Sequence, residues 1–138
     1  MYTRTPHTTS TRSGGNELDR ISTEKAPAAL GPYSQGVSAN GLVFTSGQLP
    51  IDPATGKIPE TIEEQTRQAL TNVMNILDAA GAGDIVSVTV YMKDLSEFSA
   101  MNSVYAEFFS EPFPSRSCVG ADIPKGAKLE ISAIALKK

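Results

Sequence analysis

Two residues in the body of this sequence combine a chemically useful side chain with an unexpected setting. In "PSRSCVGADI", Pro114 to Ile123, strand alternation puts Arg116 and Cys118 on one face. A guanidinium in such a row is a structural ion pair, a charge guarding a sheet edge, or an anion clamp. The clamp reading rests on the planar fork of arginine, which matches a carboxylate through two parallel hydrogen bonds. Glu130, in "KLEISAIAL", shares its strand face with Ser132, Ile134 and Leu136. It is either the water-exposed end of that strand or a buried carboxyl. Burial would raise its pKa toward values useful for acid–base work.

The remaining candidates are weaker alone. Cys118 is the only cysteine, and the only histidine, His7, sits near the N-terminus. A Cys–His or Ser–His pair would have to recruit that histidine, and no Cys/His cluster has zinc spacing. Cys118 therefore reads as a buried structural cysteine. Tyr33, in "GPYSQG", is either an aromatic packed on the core or a movable lid with a polar tip. Gly47, in "FTSGQLP", follows Ser46 and allows close backbone approach to a ligand. Asn102 interrupts an apolar helical stripe and is expected to make a local polar contact instead of touching substrate. "GAGDI" precedes a strand, so it is a helix stop and not a dinucleotide fingerprint.

Local patterns outline the elements that position these residues. Asn40-Gly41 between strand-like segments predicts a two-residue hairpin. "QLPIDPATGKIPE" predicts a loop. Ile62, Thr66, Ala69, Val73, Ile76, Leu77 and Ala80 follow helical spacing over about Thr61 to Ala80, stopped by Gly81 and Gly83. "DIVSVTVYMKD" predicts a strand with Val86, Val88, Val90 and Met92 on one face. "SEFSAMNSVYAEFF" predicts a second helix, capped by Ser96, with Phe98, Met101, Tyr105, Phe108 and Phe109 as its stripe. "SRSCVGADI" and "KLEISAIAL" are the last strands, and on local grounds they resemble a hairpin around "PKGA". The sum is an α+β domain of about six strands and two helices. Two helices cover one face of such a sheet, yet the last strand is apolar on both. A second copy of the chain is the simplest cover.

Composition bounds the function. The 138 residues suffice for one domain with a core. A net charge of −3 argues against nucleic acid as a partner. No apolar run approaches the ~18 residues of a membrane span. A single cysteine fits a reducing, cytoplasmic compartment. Residues 1–20 are polar and read as a flexible arm, with 21–138 as the folded domain. The first acid is Glu17, so mitochondrial or plastid targeting by the arm stays open.

Taken together, "APAALGPYSQGV", "TSGQLPIDPATGKIP", "QTRQALTNVMNIL", "VTVYMKDL" and "FPSRSCVGADIPKGAKLEISAIA" resemble the RidA, or YjgF-like, family over about Ile21 to Lys138. The resemblance implies a chorismate mutase-like fold: a six-stranded mixed sheet, two helices on one face, and three chains closing a central barrel. It also implies that the final strand lies between earlier strands, against the local hairpin reading. The implied activity is hydrolysis of reactive 2-imino and enamine acids, such as 2-iminopropanoate and 2-iminobutanoate, to 2-keto acids and ammonia, with no metal or organic cofactor.

By this resemblance Arg116 binds the substrate carboxylate, Glu130 orients and activates water, and Tyr33 is the lid. Ser46, Gly47 and Cys118 line the pocket, the last two mainly through backbone groups, and each site draws on two chains. The link "FFSEPFPSR" is a few residues shorter than in many members, which reshapes one pocket wall. Two other readings stand beside this one: a non-catalytic 2-keto acid binding protein, and a ribonuclease or translation inhibitor.

Overall fold

A computed structural model of the chain describes residues 18–138. His7 and most of the segment read as an arm lie outside the described residues. Strand β1, Asp19–Ile21, takes in the last two residues of that segment.

β1 pairs antiparallel with β2, Gly36–Ala39, which turns into β3, Leu42–Thr45. Ala39 faces Leu42 across the two-residue loop, where Asn40 and Gly41 have φ of 51° and 77°. Positive φ at both positions is what a type I′ turn requires, and Asn-Gly supplies it at the least steric cost. A loop then leads to helix α1, Ile62–Ala79. Thr61 caps it, its hydroxyl accepting the Glu64 N–H at 3.1 Å. All seven residues of the expected apolar stripe are buried. Burying a Val, Leu or Ile side chain contributes about 1.5–3 kcal/mol relative to leaving it exposed, so this face fixes the helix on the sheet.

Gly81, at φ 66°, ends the helix. Gly83 does not contribute to the stop: it already belongs to strand β4, Ala82–Met92. The expected Val86 to Met92 row holds only from Val88 onward. The register shifts between Ile85 and Ser87, and this bulge turns Ile85 to the core and leaves Val86 43% exposed.

Ser96 is not the cap of the second helix. Asp94 Oδ1 accepts the Ser96 N–H at 2.9 Å and opens a single 3-10 turn, from which helix α2, Phe98–Tyr105, continues. The Asp94 carboxylate, two residues earlier, accepts that orphan N–H, so the capped turn begins before Ser96. Strand β5, Ser115–Gly120, follows, and then β6, Leu129–Lys137.

The sheet order is β1-β2-β3-β6-β4-β5. β6 therefore inserts antiparallel between β3 and β4, and β5 lies parallel to β4 at the sheet edge. The local hairpin reading of β5 and β6 is wrong, and the family expectation of an inserted final strand is right. The physical reason is α2: a helix between two strands returns the chain to the end where it began, which gives a parallel pair. Edge position leaves five of the six residues of β5 exposed, and Cys118, expected to be buried, is the sixth and only half-buried.

Both helices lie on one face. Leu129, Ile131, Ala133 and Ala135 of β6 are buried beneath them with Val88, Val90 and Met92 of β4. The opposite face carries Glu130, Ser132, Ile134 and Leu136, and no element of the described chain covers it. Val119 and Leu136 there are 43% and 46% exposed. No helix of the described residues is long and apolar enough to cross a membrane.

Candidate active site

Register decides where the reactive side chains point. Arg116 pairs with Val88, and Cys118 with Val90. Val88 and Val90 face the helices, so Arg116 and Cys118 do too. Glu130 pairs with Tyr91, one residue out of that row, and so lies on the open face. Within one chain the guanidinium and the carboxylate thus occupy opposite sides of the same sheet.

On the helix side, Arg116 lies against α2. Its Nη1 donates to Asn102 Oδ1 at 2.6 Å, and its guanidinium carbon is 4.5 Å from the Tyr105 ring centre and 5.4 Å from that of Phe98. Among the described residues Arg116 makes no ion pair. Cys118 is half-buried, and burial pushes its thiol up, with the Arg116 charge opposing only in part. A thiol held in its protonated form is a poor nucleophile.

On the open side, a cleft of about 270 Å³ is lined by Glu130, Gly47, Thr45, Tyr91, Asp122 and Ser132. Partial burial raises the Glu130 carboxyl above the usual carboxylate range. Gly47 is brought to it by a backbone bridge: Gln48 N–H donates to Ile131 O at 2.7 Å, and Ile131 N–H donates back at 3.1 Å. A Cβ at position 47 would fall 2.6 Å from the Glu130 carboxyl carbon, and nearer still to Oε2. Only glycine leaves room for the carboxylate here. Gly47→Ala is expected to displace that carboxylate with little change in fold, and with Glu130 as the reacting group proposed below, kcat should fall about tenfold or more, since small misplacements of such a group have large effects on rate. Turnover measured beside a thermal melt checks this, and wild-type kcat would show that the carboxylate has another workable position.

Gly47 also borders a second cleft, of about 820 Å³, with Tyr33 on its wall. Tyr33 is 55% exposed, so its ring does not pack in the core. The Ser46 hydroxyl donates to Ser34 O at 2.5 Å, and Ser46 N–H donates to Gln35 O at 2.8 Å. Ser46 therefore ties the tyrosine loop to the end of β3. The structure gathers Tyr33, Ser46, Gly47 and Glu130 along the end of β3 and the start of β6, and sets Arg116 and Cys118 apart from them.

Two organisers escaped the sequence reading. Gln35 is buried, and its Nε2 donates to the carbonyls of Thr23, Ala26 and Pro27, at 3.0, 3.2 and 2.8 Å, while its Oε1 accepts the Thr23 N–H. Asn72 is buried on α1 and donates to Leu49 O and Ile51 O at 3.1 and 2.9 Å, anchoring the loop after Gly47. The signal for Asn72 was an amide on the edge of an apolar helical stripe. A buried amide must satisfy its donors, and loop carbonyls are the available acceptors.

Comparison with known proteins extends this picture. The family model described as Endoribonuclease L-PSP matches residues 23–137. The chain is 52% identical over 124 residues to the 2-iminobutanoate/2-iminopropanoate deaminase of Salmonella typhimurium, covering 86% of this chain and 97% of that protein. Among solved structures, Escherichia coli TdcF with bound serine superposes with a TM-score of 0.82 at 48% identity, covering 87% of this chain and 99% of that one. Yeast Mmf1 superposes with a TM-score of 0.84 at 40% identity, covering 88% and 99%.

Proposed function

The chain belongs to the Endoribonuclease L-PSP family, also called YjgF- or RidA-like, and on that premise we propose that it hydrolyses reactive 2-imino acids to 2-keto acids and ammonia. The observation that carries this reading is an Arg116 fork free of any carboxylate among the described residues, in a chain whose Glu130 lies beside Gly47 with its carboxyl raised above the usual range by partial burial. Arg116 binds the substrate carboxylate and so fixes the adjacent C2. An enamine first takes a proton on carbon and becomes the imine. The imine nitrogen takes one proton from solvent, and water adds to C2 while losing one proton to Glu130. The carbinolamine then collapses: its hydroxyl releases its proton to solvent and becomes the keto oxygen, the C–N bond breaks, and Glu130 returns its proton to the departing ammonia. The sum is imine plus water to keto acid plus ammonia. Tyr33 closes over the pocket, and Ser46, Gly47 and Cys118 form its walls, Gly47 and Cys118 through their backbone groups.

Since Arg116 and Glu130 lie on opposite faces of one sheet, a complete site needs two chains. Three chains closing a barrel on their open faces would cover Val119 and Leu136, and would set the β5 edge of one chain against its neighbour's Glu130. Light scattering is expected to give a mass near three times 14.6 kDa, and a stable monomer at micromolar concentration would overturn this arrangement. Semicarbazide trapping tests the activity. A pyridoxal-phosphate dehydratase releases the imino acid, and the purified protein is expected to suppress semicarbazone formation. Unchanged trapping across short-chain imino acids would refute the deaminase reading.

A further inference from the structure

Helix α2 presents Phe98, Asn102 and Tyr105, at i, i+4 and i+7, to the guanidinium of Arg116. The Tyr105 ring is itself braced by Phe109, with ring centres 4.5 Å apart. The rings set the plane of the fork by stacking. The amide sets its rotation within that plane by taking one nitrogen. Arginine has no acceptor, so only the amide oxygen of Asn102 can face it, and the orientation of this side chain is fixed by chemistry.

The acceptor chosen is neutral. Asp and Asn have nearly the same shape, so the 2.6 Å contact would accommodate a carboxylate equally well. The two ion pairs among the described residues, Arg67–Glu107 and Lys128–Glu97, use carboxylates in that role. Arg116 is instead held by a neutral acceptor, which does not neutralise it.

We propose that Asn102 is a positioning residue of the imino-acid site: its amide fixes the Arg116 fork through Nη1 and, by staying uncharged, keeps the rest of the fork available to an incoming carboxylate. This rests on Arg116 as the carboxylate anchor. Asn102 touches no substrate. Its work is to remove rotational freedom from the arginine without supplying a competing anion. A merely structural amide would tolerate aspartate, which would strengthen the contact to Arg116.

The test compares wild type with Asn102→Asp and Asn102→Ala, using 2-ketobutyrate affinity by calorimetry, imine turnover by trapping, and thermal melting. Asn102→Asp is expected to melt at or above the wild-type temperature. Its 2-ketobutyrate affinity should nevertheless fall about 100-fold, with KM rising and kcat little changed, because an internal carboxylate now holds the fork. Asn102→Ala should weaken binding about tenfold through lost orientation. Wild-type affinity in Asn102→Asp would overturn the proposal. If wild type hydrolyses imines and both variants bind as it does, Asn102 has no positioning role and the deaminase reading stands. If wild type shows no turnover while Asn102→Asp still loses 2-ketobutyrate, the positioning role stands and the deaminase reading falls.

Discussion

Arg116→Ala is expected to lose substrate binding and turnover together, with kcat/KM down about 100-fold or more. The guanidinium meets the substrate carboxylate in both the ground state and the transition state. Its removal leaves a carboxylate in the cleft without a partner, and breaking such a pair costs several kcal/mol. Most of the stability of the fold should survive, because Arg116 sits on an exposed edge strand and its partner Asn102 can turn to water. Arg116→Lys should recover little: the ammonium keeps the charge but offers no planar fork for two parallel bonds, and it stacks less well between the rings of Phe98 and Tyr105. Steady-state trapping assays and 2-ketobutyrate calorimetry on both variants check this. Full activity in Arg116→Ala would mean that another cation anchors the substrate.

Glu130→Gln separates catalysis from binding. Glutamine keeps the shape that fills the space left by Gly47 but cannot accept a proton. Turnover should fall about 100-fold or more, the scale of general acid–base catalysis, while 2-keto acid affinity stays near wild type. A protein that only binds keto acids would be indifferent to the change. The pH profile gives a second handle. Glu130 must be ionised to act as a base, and burial raises its pKa. The acid limb of kcat should therefore lie above the value of about 4.3 expected for a free glutamate, and the variant should lose that limb. Stability follows the same shift with the sign of a raised carboxylate. The contribution of Glu130 is fully present below its unfolded pKa and is lost as pH rises through the higher folded one. At neutral pH the wild type carries the cost of a partly desolvated charge, so Glu130→Gln should melt no lower. A variant that turns over imine at the wild-type rate would remove Glu130 from the mechanism.

The sequence and the structure part company at identifiable places. Asn40-Gly41 and the stripe of α1 act within a few residues, and both could be read from local rules. The two apolar faces of β6 were also legible, because alternation reports each face separately. The bulge at Val86 was not, since a single extra residue changes no composition and shows only in pairing with Ala135 and Ile134. The pairing of β5 was misread by local rules because "PKGA" looks like a turn, while α2, the better signal for a parallel return, lay earlier in the chain. Arg116 and Glu130 were each singled out by type. Their opposite facing depends on register against β4, which no local window contains. Asn102 was expected to make a local polar contact, and its partner turned out to be the arginine itself.

The opposite facing of Arg116 and Glu130 has a consequence for inheritance. On the trimeric arrangement, each junction takes its cation from one polypeptide and its base from the next. Consider two alleles, one encoding Arg116→Ala and the other Glu130→Gln, each inert alone. In any ring containing both products, one junction joins an intact arginine to an intact glutamate, whichever way the ring runs. Random mixing in equal amounts would leave about a quarter of all junctions whole. Two dead genes would together encode a working enzyme, and the unit on which selection acts would be the seam between chains.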